Sequence, residues 1–125
     1  MALQESGEMY LEAVYVLSKK QPVVHSVDVA EYLGYSKPSV SRAVGLLKNG
    51  GYLTSEHGGA LHLTDAGLEI GHKIFERHKV LTRCLMALGV DVATAAEDAC
   101  RLEHAISDVS FTAIKAHLEK AGLLD

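Results

Sequence analysis

Apolar residues recur along the first stretch of the chain at the three-to-four spacing of a helix with one buried face. Tyr10, Ala13, Val14 and Leu17 form that stripe, which predicts a helix from about Gln4 to Lys19. Pro22 closes the segment. Ser26 is placed to cap a short helix from Val27 to Leu33, with Asp28 near its positive end and Gly34 just past its last residue. Ser36-Lys37-Pro38 starts another, with Ser36 as the cap and Pro38 in the first turn. Val40, Val44 and Leu47 then face inward as far as Asn49-Gly50-Gly51. The period changes next. Tyr52 to Leu63 reads as two alternating segments around Gly58-Gly59, the pattern of a β-hairpin. A helix, a glycine-containing turn, a second helix and a hairpin together predict a winged helix-turn-helix.

Beyond the hairpin the pattern is helical throughout. Thr64-Asp65 can cap a long helix from about Ala66 to Leu88, ended by Gly89. A fifth helix is expected over Val92 to Ala105. Ser107-Asp108 can cap a sixth, with Phe111, Ile114, Leu118 and Ala121 on one face. The expected fold class is therefore mainly α. A winged-helix domain occupies residues 1–64 and an all-helical domain residues 65–125, with the first helix packed against both. The helical half carries apolar faces that call for a partner.

Composition narrows the class. With 125 residues, 48% hydrophobic and 22% charged, the chain is an ordinary globular one rather than a disordered one. No apolar run approaches the ~20 residues that cross a bilayer. Glu5 and Glu8 precede any basic residue, the wrong charge for a secretory signal or presequence. The expectation is a cytoplasmic protein with no membrane partner. Two cysteines, Cys84 and Cys100, do not make a disulfide framework.

A net charge of −4 argues against indiscriminate coating of nucleic acid, but its distribution is uneven. Ser36 to Gly50 holds three bases (Lys37, Arg42, Lys48) and no acid, whereas Asp91 to Asp125 holds seven acids and three bases. The second helix of a helix-turn-helix lies in the major groove with its N-terminal residues at base edges. Here these are Pro38, Ser39, Ser41 and Arg42. Arg42 can grip a guanine or a phosphate, the two serines can donate to either, and Pro38 can touch a thymine methyl. Ser36, Lys37, Lys48 and the wing residues Ser55 and His57 suit the backbone, which positions without specifying. A solvated surface helix, or a winged helix that binds protein, would show some of the same features.

Cys100-Arg101-Leu102-Glu103-His104 carries a second kind of chemistry. At ~100° per residue, Cys100, Glu103 and His104 project from one side of one helix. Thiolate, carboxylate and imidazole together make a partial coordination sphere. Met9 and Glu12 form another pair at the rim of the first helix's apolar stripe, and His78 lies midway along the fourth helix. Each also has an ordinary role when taken singly. Met9 can be core and Cys100 a small buried apolar group, while Glu103, His104 and His78 can be solvated surface residues.

Taken together, Glu8-Met9-Tyr10-Leu11-Glu12, Ser36-Lys37-Pro38-Ser39-Val40-Ser41, His78 and the string from Glu97 to Asp108 resemble the diphtheria toxin repressor and manganese transport regulator family. The similarity spans nearly the whole chain in order, and Cys-Arg-x-Glu-His-x-x-Ser-Asp is its most specific piece. It implies a metal-dependent transcriptional repressor, in a short form without the SH3-like domain. It further implies a homodimer, joined through the helical half, that grips a palindromic double-stranded operator of metal-homeostasis genes when loaded with Fe²⁺ or Mn²⁺. No small-molecule substrate and no catalysis are implied.

In the iron-responsive branch, residues matching Met9, Cys100, Glu103 and His104 hold the primary metal. The manganese-responsive branch has Asp in place of Met9 and Glu in place of Cys100, and adds residues matching Glu12 and His78. This chain mixes the two: Met9 and Cys100 are of the iron type, Glu12 of the manganese type. His78 also matches a ligand of the iron-type ancillary site, but Thr82 and Ala96 stand where its Glu and His are expected. Sulfur ligands rank Fe²⁺ first and Mn²⁺ second, with Co²⁺, Ni²⁺ or Zn²⁺ able to bind in vitro. The alternative is a winged-helix regulator that senses thiol oxidation or a small organic ligand.

Overall fold

The computed structural model describes residues 4–124. Their element order is α1 (Glu5–Lys20), α2 (Ser26–Leu33), α3 (Lys37–Asn49), β1 (Leu53–Ser55), β2 (Leu61–Leu63), α4 (Asp65–Ala87), α5 (Val92–Leu102) and α6 (Asp108–Lys120). The chain divides into two compact units, Met1–Lys73 and Ile74–Asp125, and the division falls within α4.

In the first unit, α1 packs against α2, α3 and β2. Its core joins Tyr10, Leu11, Val14 and Leu17 of α1 to Val29 and Ala30 of α2, Val40, Val44 and Leu47 of α3, and Leu53 and Leu61 of the hairpin. The inward faces predicted for α1 and α3 are thus the buried ones. Between α2 and α3 the chain turns at Gly34, whose φ of 73° is one that side chains disfavour. Ser36 caps α3 by accepting from the Ser39 N–H at 3.3 Å. α2 begins one residue earlier than predicted, because His25 takes the cap position. Its N–H donates to the Asp28 carboxylate at 2.8 Å, so Ser26 becomes the first helical residue rather than the cap.

The wing is antiparallel, with Leu53 opposite Leu63 and Ser55 opposite Leu61. On its other side β2 is held by the Leu61 N–H donating to the Val24 carbonyl. Thr64 then ties the hairpin to α4. Its hydroxyl donates to the Gly51 carbonyl and accepts from the Gly67 N–H. Gly67 is required by close approach, since a Cβ there would lie 2.1 Å from the Tyr52 carbonyl oxygen.

Among its described residues the second unit contains only helices and their connections. Val80, Phe111 and Leu118 are its clustered buried residues, joined by Cys84, Ile106, Ile114 and Leu124. Ser107 caps α6 through the Ser110 N–H, as the sequence predicts. Ala121, expected on the inward face of α6, is instead exposed at its C-cap. The predicted run of α5 to Ala105 is also corrected: the helix stops at Leu102 and residues 103–105 form a tight turn. The Ala105 and Ile106 N–H groups both converge on the Leu102 carbonyl, and Ser107 is already committed to starting α6. Among the described residues no helix is long and apolar enough to cross a membrane.

Candidate metal centre and nucleic-acid interface

Two charged residues are buried among the described ones, Arg77 and Glu103, and both belong to the second unit. Glu103 is fully buried as the C-cap of α5. Its Oε2 lies 2.9 Å from His78 Nδ1 on α4. Its Oε1 makes no hydrogen bond, and His104 Nε2 lies 3.4 Å from it. Ligand atoms of His78, Cys100 and Glu103 all fall within 4.8 Å of one another. Cys100 is exposed, whereas the His104 side chain is only 3% exposed.

This set fits a divalent cation. A buried carboxylate oxygen with no donor is costly, and a cation would satisfy it. Imidazole nitrogen, thiolate sulfur and carboxylate oxygen are the mixed donors that Fe²⁺, Co²⁺, Ni²⁺ or Zn²⁺ accept, and the sulfur weighs against Mn²⁺. Because α5 ends at Leu102, Glu103 and His104 reach the site from the turn rather than as further residues of one helix.

Met9 and Glu12 sit one turn apart on α1 in the first unit, both half-buried. Met9 Sδ accepts from the Tyr35 hydroxyl at 3.5 Å. The Tyr35 ring meets that of Tyr10 edge-on at 6.1 Å. Burial first, then the neighbouring Tyr35, raises the pKa of Tyr10 and keeps its hydroxyl protonated.

The side chains expected to meet DNA lie on the exposed side of α3. Ser36, Lys37, Pro38, Ser41, Arg42 and Lys48 are exposed and Ser39 half-buried, while Val40, Val44 and Leu47 fill the core behind them. The Ser36 hydroxyl also donates to Ser39 Oγ at 2.8 Å. In the wing, Ser55 and His57 are exposed, and Glu56 pairs with His62 at 3.2 Å.

Two residues of these sites escaped the sequence reading, Arg77 and Tyr35. Arg77 had a visible signal. It interrupts the apolar stripe Ile70, Ile74, Leu81, Cys84 at a position that should be buried. Tyr35 had none beyond its place before the Ser36 cap.

Comparison with known proteins matches both halves of the chain. Residues 2–61 match the family model of the iron dependent repressor N-terminal DNA binding domain, and residues 64–122 that of its metal binding and dimerisation domain. An uncharacterized HTH-type transcriptional regulator of Methanocaldococcus jannaschii is 33% identical over 94% of this chain and 96% of its own length. The diphtheria toxin repressor of Corynebacterium diphtheriae is 29% identical over 85% of this chain, which spans 47% of that protein. The regulator MntR of Lysinibacillus sphaericus is 32% identical over 82% of this chain and 73% of its own length. Among solved structures, the manganese regulator SloR superposes with a TM-score of 0.81 at 26% identity, covering 95% of this chain and 55% of SloR. A manganese-dependent transcriptional repressor in complex with manganese gives 0.79 at 30% identity, covering 90% of this chain and 52% of that one. The chain thus spans about half the length of several of its relatives and nearly all of the archaeal one. With both halves matched in order and the donor cluster in place, the chain belongs to the iron-dependent repressor family.

Proposed function

We propose that this chain is a cytoplasmic, metal-dependent transcriptional repressor that binds a palindromic operator as a homodimer. The observation that carries the reading is the orphaned, fully buried Glu103 oxygen beside the converging donors of His78 and Cys100. His78, Cys100, Glu103 and His104 would hold the ion. Met9 and Glu12 are further ligands by the resemblance alone. The bound ion would supply the positive charge that the buried carboxylate lacks.

The residues divide the work. Glu103 offers an acceptor already stripped of water, so little reorganisation is needed on binding. His78 orients that carboxylate through its Nδ1 contact. Cys100 supplies the soft donor, which places Fe²⁺ ahead of Mn²⁺. Lys37, Lys48 and the α3 serines would fix the phosphate backbone, and Arg42 would read a base edge. The exposed apolar residues Leu88, Val92 and Val109 in the second unit support an association surface between two copies. Dimeric helix-turn-helix proteins place their recognition helices about 34–36 Å apart, one turn of the duplex.

The test uses duplexes selected from a random-sequence pool by the Fe²⁺-loaded protein under anaerobic conditions. Titration with and without Fe²⁺ should give tighter binding with metal, and the DNA should tighten Fe²⁺ binding by the same factor. Equal affinity in both arms would overturn the reading. Arg42→Ala should cost about 1–3 kcal/mol at one base pair if it reads that base, or lower the salt slope by about one if it meets a phosphate.

A further inference from the structure

We propose that Arg77 is a positioning residue of the metal centre, fixing Glu103 from behind while lying outside the donor set. The inference rests on the metal reading above.

Arg77 is 5% exposed on α4, one residue before His78. Its Nη1 donates to two backbone carbonyls, that of Glu103 at 3.1 Å and that of Ile106 at 2.7 Å. Its Nη2 pairs with the Asp108 carboxylate at the start of α6. Its guanidinium carbon lies 5.5 Å from the centre of the Phe111 ring. One planar cation therefore gathers the C-cap of α5, the turn after it and the first turn of α6. One of these carbonyls, that of Glu103, caps the end of α5, where intrahelical donors run out, and the other, that of Ile106, lies in the link to α6. A guanidinium suits this task because its donors diverge in a fixed fork.

Two adjacent residues of α4 thus hold Glu103 at both ends. Arg77 fixes its main-chain carbonyl and His78 its carboxylate. The position of the acidic donor is set by Arg77 before any cation arrives. A guanidinium has no lone pair to offer a cation, and its charge opposes one. Charge and positioning consequently predict opposite signs. If Arg77 acted through charge, its removal would tighten metal binding; acting through position, it makes removal weaken binding.

The experiment titrates Co²⁺ into the full chain and follows the sulfur-to-cobalt charge-transfer absorption contributed by Cys100. Arg77→Met and Arg77→Lys are compared with the unmodified protein. Loss of a group that orients a ligand typically lowers metal affinity by about 10–100-fold, and both variants should show a loss of that order. Arg77→Lys is decisive should Arg77→Met fail to fold, since it keeps the charge and loses the fork. In the metal-free protein both substitutions should also speed amide exchange across residues 103–108. Leu118→Ala, which removes buried packing but none of these hydrogen bonds, should lower stability and leave Co²⁺ affinity unchanged. Unchanged affinity in the Arg77 variants, or tighter binding in Arg77→Met, would overturn this proposal alone. An unmodified chain that shows no cobalt–sulfur absorption would overturn the metal reading itself, and this inference with it.

Discussion

In the first unit, thirteen buried side chains from Tyr10 to Leu61 form one continuous apolar cluster. In the second, the corresponding cluster is Val80, Phe111 and Leu118, and a buried arginine and a buried glutamate lie in the same unit. The first unit is held by the hydrophobic effect, which is nondirectional and needs no ligand. The second leans on a polar network in which one carboxylate oxygen accepts no hydrogen bond. Such networks stabilise when fully satisfied and cost when half-satisfied. The stability of the second unit should accordingly respond most to what fills the gap, and that of the first most to its packing and helix caps.

The strongest challenge to this contrast is a cavity in the first core. Leu11 is 0% exposed, and Leu11→Ala should cost roughly 3 kcal/mol, within the 2–5 expected of buried leucines, as read from urea unfolding with or without metal. Next comes the ligand. Co²⁺ at a hundredfold excess over its Kd should stabilise the protein by about 2.7 kcal/mol, an effect that a chelator reverses and Cys100→Ser diminishes. A calorimetric midpoint indifferent to Co²⁺ would erase the distinction between the units. Loss of a helix cap is smaller. Ser36→Ala should cost about 1 kcal/mol and act on the first unit only, seen as faster amide exchange at the start of α3.

The smallest effect is a pH dependence of the second unit. Asp91 caps α5, and the Thr94 N–H donating to its carboxylate at 3.0 Å holds its pKa below the ordinary 3.8. A depressed folded pKa gives stability that is present above 3.8 and lost as pH falls through the lower folded value. Asp91→Asn keeps a capping oxygen but cannot titrate. Its unfolding midpoint should therefore vary less with pH below 3.8, measured by circular dichroism in low salt.

How legible each region was in the sequence follows the same divide. The cap at Ser36, the inward stripe of α3, the glycine-centred wing and the Ser107 cap of α6 depend on neighbours a few residues away, and periodicity and turn chemistry reveal them. Donor types at Cys100, Glu103 and His78 were readable as well. Cys100 and Glu103 were also readable as neighbours on one side, whereas His78 joined them only through the family resemblance, because His78 and Glu103 are 25 residues apart and meet through tertiary packing. The end of α5 was misjudged for a related reason. The stretch from Glu103 to Ala105 reads as helical locally, yet the Glu103 carbonyl and that of Ile106 just beyond it are claimed by Arg77 from another helix. His25 took the cap of α2 from Ser26 because Asp28 reaches back to it, a side-chain choice that residue preferences rank the other way.

The paired hydroxyls at the front of α3 carry a last implication. Ser36 spends its proton on Ser39, so Ser39 has a filled lone pair and a proton to give away. Its proton is thereby free for an acceptor, such as a phosphate oxygen or the O6 or N7 of a guanine, while one of its two lone pairs is already taken. A fold-internal contact in this way narrows what that hydroxyl can offer at the helix tip.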